Sequence, residues 1–478
     1  MLRPHQMTAH RAPDVLDAAA TQRWQLWTLA AACFSQFMIQ LDVTIVNVTL
    51  PSIQHALAVT PDRLVWTINA YVLPLASLIL VGGTLGDRYG RKRVFLIGFV
   101  LFTLFSAGCA LATSAGALIV FRALQGLGAA LLAPSSLSIL THAYEPRQRA
   151  WAIGMWATIS GLGFGMGPVI AGLLLRLFAW PAIFWVNVPI GVAGAIVTAA
   201  YVRESRNPGA RRLDLVGALL VSSALFCLSY TLLRTHEHAW LSPFTLASLG
   251  VTILLAAAFV LYEARHREPM LPLGFFRRSA FTVANLDFAL AYAALAATLF
   301  FVSLYFQNVQ GYSPLATGIS FLAMNIPFLS IASLAGRLQG RFGPRLVSAV
   351  GLTVGALGIL DFALLDLGST YLRALPGYIM FGAGYGAAIP AISAVAMNAI
   401  ETEHAGVASG VLNAARQVGY AIGLPALSAL GAAAAVGAWS DPQTFLVAMR
   451  VALLLAGGLV LIAALITART RSDAGPLS

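Results

Sequence analysis

The chain has 478 residues, of which 59% are hydrophobic and only 10% are charged, whereas a soluble domain carries about 25% charged residues. This composition excludes a water-soluble globular protein. The 29 basic and 18 acidic residues give a formal net charge of +11. Because the basic residues concentrate between apolar runs, no nucleic-acid partner is expected. The three cysteines are far apart in apolar runs, so neither a disulfide framework nor a metal site is predicted.

Long apolar runs recur from Trp24 to Ala468, and a membrane-crossing helix needs about 20 apolar residues. A transmembrane β-barrel would show short alternating segments instead. The sequence therefore predicts an all-α polytopic membrane protein with 14 spans, numbered in chain order. Their predicted starts lie near residues 25, 64, 93, 116, 148, 183, 213, 242, 280, 315, 346, 372, 406 and 443.

The basic residues between the spans predict which side of the membrane each loop occupies. With the N-terminus placed in the cytoplasm, 22 of the 29 basic residues fall in cytoplasmic segments and four fall outside. The other three, Arg122, Arg416 and Arg450, lie within spans. Since cytoplasmic loops carry the excess of lysine and arginine, both termini are expected in the cytoplasm. No cleaved signal peptide is predicted ahead of span 1.

An internal repeat links two parts of the chain. The stretch Gly83–Val94 has an echo in Gly336–Val347, and the same offset of 253 residues aligns Pro74 with Pro327. The offset covers eight spans, so two helices are predicted to be inserted between two six-helix bundles, an arrangement typical of transporters with repeats. The predicted segments are a cytoplasmic tail (1–23), a first bundle (24–205), two inserted helices (206–265), a second bundle (266–468) and a second cytoplasmic tail (469–478).

Asp42 and Arg122 are charged residues deep within predicted spans 1 and 4. A rise of 1.5 Å per residue places both about 20 Å from the inner face of the membrane. An unpaired charge at this depth costs at least ~2.5 kcal/mol, so the two side chains are expected to pair. The pair is either a static brace between helices or a proton-coupling site. In the second interpretation Asp42 loads a proton in one state and releases it in the other.

Two further charges lie inside the second bundle. Asp287 near the start of span 9 is a second candidate for proton coupling, either by extending a proton path or by attracting cationic substrates; a hydrated position near the inner face is the alternative. Arg416 in span 13 must find an acid, a carbonyl group or water. Together with Gln125 and Gln417, Arg416 is a weak candidate for lining the substrate cavity.

The segment between spans 2 and 3 carries a cluster of charges and glycines, comprising Gly83, Asp87, Arg88, Gly90 and Arg91. A tight turn into span 3 requires Gly90 or a residue like it. A basic cytoplasmic loop is ordinary topology, so this composition alone predicts only the side of the membrane.

Span 5 is rich in glycine and contains one proline. Glycines four residues apart let helices touch backbone to backbone, and proline removes a hydrogen bond and bends the helix. Such packing is common in membrane bundles, so the pattern alone predicts close packing and no particular function. The residues are Gly161, Gly163, Gly165, Gly167, Pro168 and Gly172.

Together these motifs resemble the major facilitator superfamily, and within it the 14-helix drug:proton antiporters of the EmrB and QacA type. The resemblance covers nearly the whole chain and is specific as a set. The matching segments are Leu41–Pro51, Gly83–Arg93, Arg122–Gly126, Gly161–Gly172 and Trp180–Gly191. Pro181 departs from the family, which usually has an arginine at that position.

The resemblance implies the major facilitator fold and alternating-access export of hydrophobic compounds across the bacterial cytoplasmic membrane, driven by inward-moving protons. It implies that Gly83 admits a helix of the other bundle and that Asp87 joins a cytoplasmic gate, a charge-and-dipole latch. Because Gly340 stands where the second copy of Asp87 would be, the latch is expected to be lopsided. The bent span 5 is implied to pack against the other bundle and limit leakage, which favours antiport over uptake.

The expected partners are hydrophobic small molecules, protons and the lipid bilayer, with the proton gradient as energy source and no cofactor. Some relatives work with a periplasmic adaptor and an outer-membrane channel, which no residue of this sequence decides. The sequence contains no phosphate-binding loop, His-Glu-x-x-His motif or Gly-x-Ser-x-Gly elbow, so neither an ATP-driven pump nor an enzyme is expected. The alternatives are a same-fold uptake symporter or uniporter of a small metabolite, and a non-transporting membrane sensor.

Overall fold

The computed structural model describes residues 15–59, 61–206, 214–234, 240–266, 269, 271, 273–401, 405–435 and 441–470, and most of these residues are helical. No β-strand occurs among these residues. The α-helices are Val15–Leu57, Pro61–Tyr89, Arg91–Ala110, Ala115–Ala143, Pro146–Leu177, Ala182–Trp185, Asn187–Tyr201, Leu215–Leu233, Pro243–Arg265, Ser279–Leu304, Pro314–Ser320, Leu322–Phe342, Pro344–Phe362, Tyr371–Asn398, Ala405–Ala434 and Pro442–Arg469. A 3-10 turn, Leu273–Arg277, precedes span 9, and a π-helical turn, Tyr305–Val309, ends it.

Fourteen helical segments in the described part of the chain are long and apolar enough to cross a membrane, which confirms the predicted number. Each begins within about three residues of its predicted start. A helix satisfies its own backbone hydrogen bonds, so it is the structure that such apolar runs adopt in hydrocarbon. The first helix begins earlier, at Val15, inside the segment predicted as a polar tail. The rest of the two predicted tails, residues 1–14 and 471–478, lies outside the described residues.

The two halves of the protein pack their helices in the same order. Span 1 packs against spans 4, 5 and 6, span 2 against span 4, and span 3 against spans 4 and 6. Each of these pairings recurs eight spans later, as in spans 9 and 13, 10 and 12, or 11 and 14. The turns after spans 2 and 10 repeat as well, since Gly90 and Gly343 have φ values of 114° and 79°, a region that favours glycine. This is the two-bundle architecture that the repeat predicts.

The two bundles meet through pairs of helices that are also related by the repeat. Span 5 packs on span 10, span 13 packs on span 2, and spans 1 and 9 touch. Spans 7 and 8 pack on each other, and span 7 lies against both span 2 and span 13. The inserted helices therefore sit at the seam between the bundles without entering either one.

Spans 5 and 10 approach each other differently at the two ends of the protein. At the end that carries the Asp87 turn, called the Asp87 end, a Cβ built on Gly154 or Gly336 would have no neighbouring atom within 4 Å. At the opposite end, a Cβ on Gly172 would lie 2.7 Å from the carbonyl oxygen of Pro314. Span 5 packs on span 10 mainly through Pro314–Ser320 at the opposite end, and far less through Leu322–Phe342, which runs to the Asp87 end.

Candidate functional site

A buried ion pair joins spans 1 and 4. Arg122 Nη1 and Asp42 Oδ2 form a salt bridge, and the two side chains are 1% and 0% exposed. The pairing expected from their similar depths is therefore present. Buried charges are tolerated where a partner of opposite sign and further hydrogen bonds replace the lost water.

Two amides complete the surroundings of Asp42, and we call these four residues the Asp42 cluster. Gln125 Nε2 and Asn187 Nδ2 each donate to Asp42 Oδ1 at 3.0 Å. Arg122 Nη1 donates to Gln125 Oε1 at 2.8 Å. Gln125 was expected to line the substrate cavity, but it belongs to this cluster instead. It follows Arg122 by three residues, so the two side chains share one face of span 4.

The guanidinium of Arg122 is also held by backbone and aromatic groups. Its Nε donates to the carbonyl oxygen of Thr67 at 3.1 Å. Its central carbon lies 4.3 Å from the ring centroid of Tyr71 and 5.7 Å from that of Phe184. A cation over an aromatic face is attracted by the ring quadrupole. The Asp42 cluster is thus a compact ion pair with protein groups on every side.

Asp287 has different surroundings. It is buried, and Thr467 Oγ1 donates to its Oδ2. Its Oδ1 has no hydrogen-bond partner in the described part of the chain, and none of the ion pairs found there includes it. The contact with Thr467 directs the carboxyl group toward span 14.

A cavity lies between the bundles and has a volume of about 490 Å³. Small-molecule pockets occupy roughly 300 to 1,000 Å³, so this cavity has room for a drug-sized ligand. Its walls come from spans 1, 5, 9, 10, 12 and 13 and are mainly apolar. Its aromatic lining residues are Phe164, Tyr292, Phe328, Phe381 and Tyr385.

Arg416 lines this cavity. Its central carbon lies 5.5 Å from the ring centroid of Tyr292, and its side chain is partly exposed. Gln417, which the sequence grouped with Arg416, is 8% exposed and does not line the cavity. Consecutive residues of a helix point roughly 100° apart, so only one of the two reaches the cavity wall.

The glycines of span 5 face two different partners. Gly161 and Gly165 face the second bundle, where an added Cβ would lie 3.2 Å from Leu329 and 3.3 Å from Asn325, respectively. Gly172 faces the same bundle at the opposite end. The remaining two glycines, Gly163 and Gly167, face span 1. Span 5 therefore packs closely on span 1 of its own bundle and on span 10 of the second bundle.

The proline of span 5 exposes a carbonyl group that a neighbouring helix uses. Pro168 has no N–H, so the carbonyl oxygen of Phe164 lacks its helical partner. Thr44 Oγ1 of span 1 donates to this oxygen at 3.0 Å. One residue further, Asn325 Nδ2 of span 10 donates to the carbonyl oxygen of Gly165 at 2.7 Å. The bend is thus bonded to the first bundle by Thr44 and to the second by Asn325.

The turn after span 2 holds an ion pair within the first bundle. Arg91 Nη2 lies 2.8 Å from Asp87 Oδ1, and both side chains are partly exposed. Arg88 lies over the ring of its neighbour Tyr89, at 5.7 Å from the centroid. Within the described ranges, Asp87 forms no ion pair with the second bundle.

Gly83 does not have the neighbour that the resemblance implied. The nearest atom to a Cβ at Gly83 would be Pro134 Cβ at 3.5 Å, and Pro134 belongs to span 4 of the same bundle. Span 13 of the second bundle approaches span 2 through Gly410, where an added Cβ would lie 3.0 Å from Leu80 Cδ2. The glycine at this contact between the two bundles is therefore Gly410 of span 13.

Gly90 is required both by its backbone and by a neighbouring carboxylate. In addition to its positive φ, an added Cβ would lie 2.7 Å from the Glu204 carboxyl group. Glu204 accepts hydrogen bonds from the backbone N–H groups of Lys92 and Arg93, at 3.1 and 3.3 Å. An anion at a helix N-terminus is favoured by the helix dipole, so Glu204 fixes the start of span 3.

The sequence does not single out Asn187, Asn325 or Glu204 for these contacts. Asn187 lies within the motif Trp180–Gly191, so its segment was identified without its partner. The available signal was a buried amide in an apolar span, which must find a hydrogen-bond partner. Over the residues whose positions are described, no group of three or more His, Cys, Asp or Glu side chains could hold a metal ion.

Two helical bundles around a central apolar cavity, with a buried ion pair in the first, define a polytopic membrane transporter. The family model for the Major Facilitator Superfamily matches residues 32–424, most of the chain. The chain therefore belongs to the major facilitator superfamily, and it is a multi-pass protein of the bacterial inner membrane.

Curated relatives of the chain are named for drug resistance and export. The multidrug resistance protein Stp of Mycobacterium tuberculosis is 38% identical over 412 residues, covering 86% of this chain and 76% of the relative. The tetracenomycin C resistance and export protein of Streptomyces glaucescens is 33% identical, with coverages of 86% and 77%. The methylenomycin A resistance protein of Streptomyces coelicolor is 36% identical, and 82% of each chain is covered.

Solved structures share the fold at low sequence identity. A peptide transporter POT in complex with sulfate matches with a TM-score of 0.67 and 16% identity, covering 92% of this chain and 93% of that one. A bacterial homologue of the human lysosomal transporter Spinster, in an inward-facing and unoccupied conformation, matches with a TM-score of 0.65 and 17% identity, with coverages of 93% and 96%. These likenesses concern the fold alone.

Proposed function

We propose that this protein is a proton-coupled antiporter that exports hydrophobic drugs or toxic compounds across the cytoplasmic membrane by alternating access. The observation that carries the proposal is the Asp42 cluster, a buried ion pair in a superfamily member whose relatives are named for drug resistance. An intramembrane ion pair is expensive to bury, and such groups mark proton or substrate pathways by default. The proposed activity is transport with no chemical step, and it requires no cofactor.

Asp42 is the proposed proton carrier. When its carboxylate takes up a proton, it loses its charge and its attraction for Arg122 falls. Arg122 then retains its contacts with Thr67 and Tyr71 while Asp42 is free to separate from it. Return of Arg122 to the carboxylate favours release of the proton. The two ionisation states of Asp42 therefore favour two arrangements of spans 1 and 4.

Span 1 connects this proton site to the cavity. Gln40 lines the cavity, whereas Asp42 faces spans 4 and 6 through Arg122 and Asn187. Two positions along a helix differ by about 200° in direction, so opposite faces of one helix carry the substrate side and the proton side. A rotation or shift of span 1 driven by Asp42 would therefore alter the cavity wall.

The proposed orientation places both termini and the Asp87 end in the cytoplasm. The cavity would then be closed toward the outside by the contact at Gly172 and approached from the cytoplasm, as an exporter requires. The proposed units are the first bundle (24–205), the inserted helices (206–265) and the second bundle (266–468). In the opposite state, we propose that Asp87 leaves Arg91 and contacts the second bundle. This contact would hold the cytoplasmic side shut.

An uptake symporter or uniporter of the same fold remains the second candidate. The bonds of Thr44 and Asn325 to the carbonyl groups of span 5 favour antiport. They bind the bend to both bundles and so restrict a leak between them. The two functions predict opposite directions of net substrate movement, which makes them easy to separate.

The test is efflux of Nile red, a neutral hydrophobic dye, from preloaded cells that express the protein. We expect faster dye loss than from cells with an empty vector, and loss of this advantage when an uncoupler is added. Faster accumulation of the dye would favour uptake, and equal rates with and without the protein would contradict export. Repeating the measurement with purified protein in vesicles tests whether a periplasmic adaptor or outer-membrane channel is needed.

A further inference from the structure

The cavity carries an asymmetric charge. Of the residues that line it, all with described positions, Arg416 alone is charged. The nearby intramembrane acids are directed elsewhere, since Asp42 is enclosed with Arg122 and Asp287 bonds Thr467. The surface that a substrate meets is therefore apolar and aromatic with one positive charge.

Arg416 has no carboxylate partner within the described part of the chain. The central carbon of its guanidinium lies 5.5 Å from the ring centroid of Tyr292. A guanidinium has five N–H donors in a planar fork that fits a carboxylate or similar anion. One face of this group can therefore stay on Tyr292 while its N–H edge binds a ligand in the cavity.

We propose that the cavity selects anionic and neutral aromatic compounds over lipophilic cations, and that Arg416 sets this preference. The inference rests on the proposed export function and adds the charge class of the substrate. Aromatic walls from Phe381 and Tyr385 contact the flat body of the compound, and the N–H groups of Arg416 bind its carboxylate or another acceptor oxygen. A neutral compound gains the aromatic contacts without the ionic one.

A cation is disfavoured by two features of the same site. It meets a like charge in a low-dielectric cavity, where repulsion is stronger than in water. It also finds the Tyr292 ring already occupied by Arg416, although an aromatic face would otherwise attract a cation. The acids that could compensate a cationic ligand do not line the cavity.

The test compares two dyes that share a xanthene ring system but differ in charge, fluorescein as the anion and tetramethylrhodamine methyl ester as the cation. Binding to the purified full-length protein is measured by fluorescence polarisation at several salt concentrations. We expect the wild-type protein to bind fluorescein at least about tenfold more tightly than the cation, as a charge-assisted hydrogen bond would provide.

Variants at Arg416 and a control variant then test whether Arg416 causes the preference for the anionic dye. Arg416→Gln should remove the anion preference and raise the affinity for the cation, whereas Arg416→Lys, which retains the charge, should keep most of it. Arg341→Gln removes the same charge from an exposed residue outside the cavity and should leave the ratio of the two affinities within about twofold of wild type.

Three outcomes would overturn the inference: equal binding of both dyes by the wild-type protein, tighter binding of the cation, or an unchanged ratio in Arg416→Gln. The wild-type comparison needs no variant, so a poorly folded variant does not prevent the test. Nile red is uncharged, so its efflux reports on the export function separately. If the wild-type protein exports Nile red but shows no preference for the anionic dye, this inference is overturned and the export function is not.

Discussion

The two bundles each begin with a helix that carries one buried aspartate, and the two aspartates differ in what surrounds them. Asp42 is paired with Arg122 and accepts hydrogen bonds from Gln125 and Asn187. Asp287 accepts one hydrogen bond from Thr467, and its other oxygen has no partner among the residues that the structure describes. The two helices are related by the repeat, although its offset aligns Asp42 with Leu295, and their buried aspartates have two different electrostatic environments.

The comparison shows that burial alone does not define a proton-coupling site. Asp42 is accommodated as a carboxylate, so adding a proton disrupts an arrangement that depends on its charge. No cation among the described residues pairs with Asp287, so the neutral acid is the form that its site accommodates at least cost. We therefore expect the proton switch to lie in the first bundle, with Asp287 contributing less.

The largest effect is expected from removing the charge of Asp42. Asp42→Asn leaves Arg122 buried without a counter-charge, which costs about 3 to 5 kcal/mol of stability. The double variant Asp42→Asn with Arg122→Gln removes both charges and should recover much of this loss, while transport remains absent. Thermal unfolding in detergent and dye efflux measure the two properties. Efflux restored in the double variant would show that the ion pair is a static brace.

A smaller effect is expected from Asn187, which supports Asp42 without carrying charge. Asn187→Ala removes one hydrogen bond to the carboxylate, worth about 1.5 to 3 kcal/mol when the partner is charged. We expect a lower unfolding temperature and slower efflux than in wild type, with both effects weaker than in Asp42→Asn. Ser106→Ala is a suitable control because Ser106 contacts Asn187 but not Asp42. Equal losses in Asn187→Ala and Ser106→Ala would show that Asn187 does not act through its hydrogen bond to Asp42.

Asp287→Asn should change stability by less than about 1 kcal/mol, because the amide has nearly the same shape, can still accept from Thr467 and replaces no ion pair. Export of Nile red should continue, at a reduced rate if Asp287 contributes to the proton path. Stability and initial efflux rates, compared with Thr467→Val as the matched partner variant, test this expectation. A loss of coupling as complete as that in Asp42→Asn would place the switch in the second bundle.

The smallest effect on stability is expected at the exposed pair Asp87 and Arg91. Exposed ion pairs contribute roughly 0 to 1 kcal/mol, so Asp87→Asn should insert and unfold like the wild type. If Asp87 forms the proposed latch in the other state, the variant should nevertheless transport more slowly. Expression, unfolding temperature and efflux rate are measured together, and a normal efflux rate would remove the latch role.

Much of the fold follows from the sequence because hydrocarbon leaves few alternatives. Apolar length determines the 14 spans, and the repeat predicts the matching packing of the two halves. The rise per residue places Asp42 and Arg122 at one depth, and their charges then require them to pair. These predictions depend only on position along a helix axis.

The errors concern rotation about that axis, which hydropathy does not determine in a span that is apolar on all sides. Gln125 points into the Asp42 cluster, and Gln417 points away from the cavity. Asn325 was missed for the same reason. Its bond to Gly165 depends on how two helices far apart in sequence face each other.

The most direct test of the central claim is drug-dependent proton movement in vesicles that contain only the purified protein and an internal pH-sensitive dye. With a pH gradient imposed, we predict that adding Nile red accelerates proton flux through the wild-type protein and has no effect with Asp42→Asn. Equal drug-dependent proton flux through both proteins would contradict the assignment of Asp42 as the coupling residue.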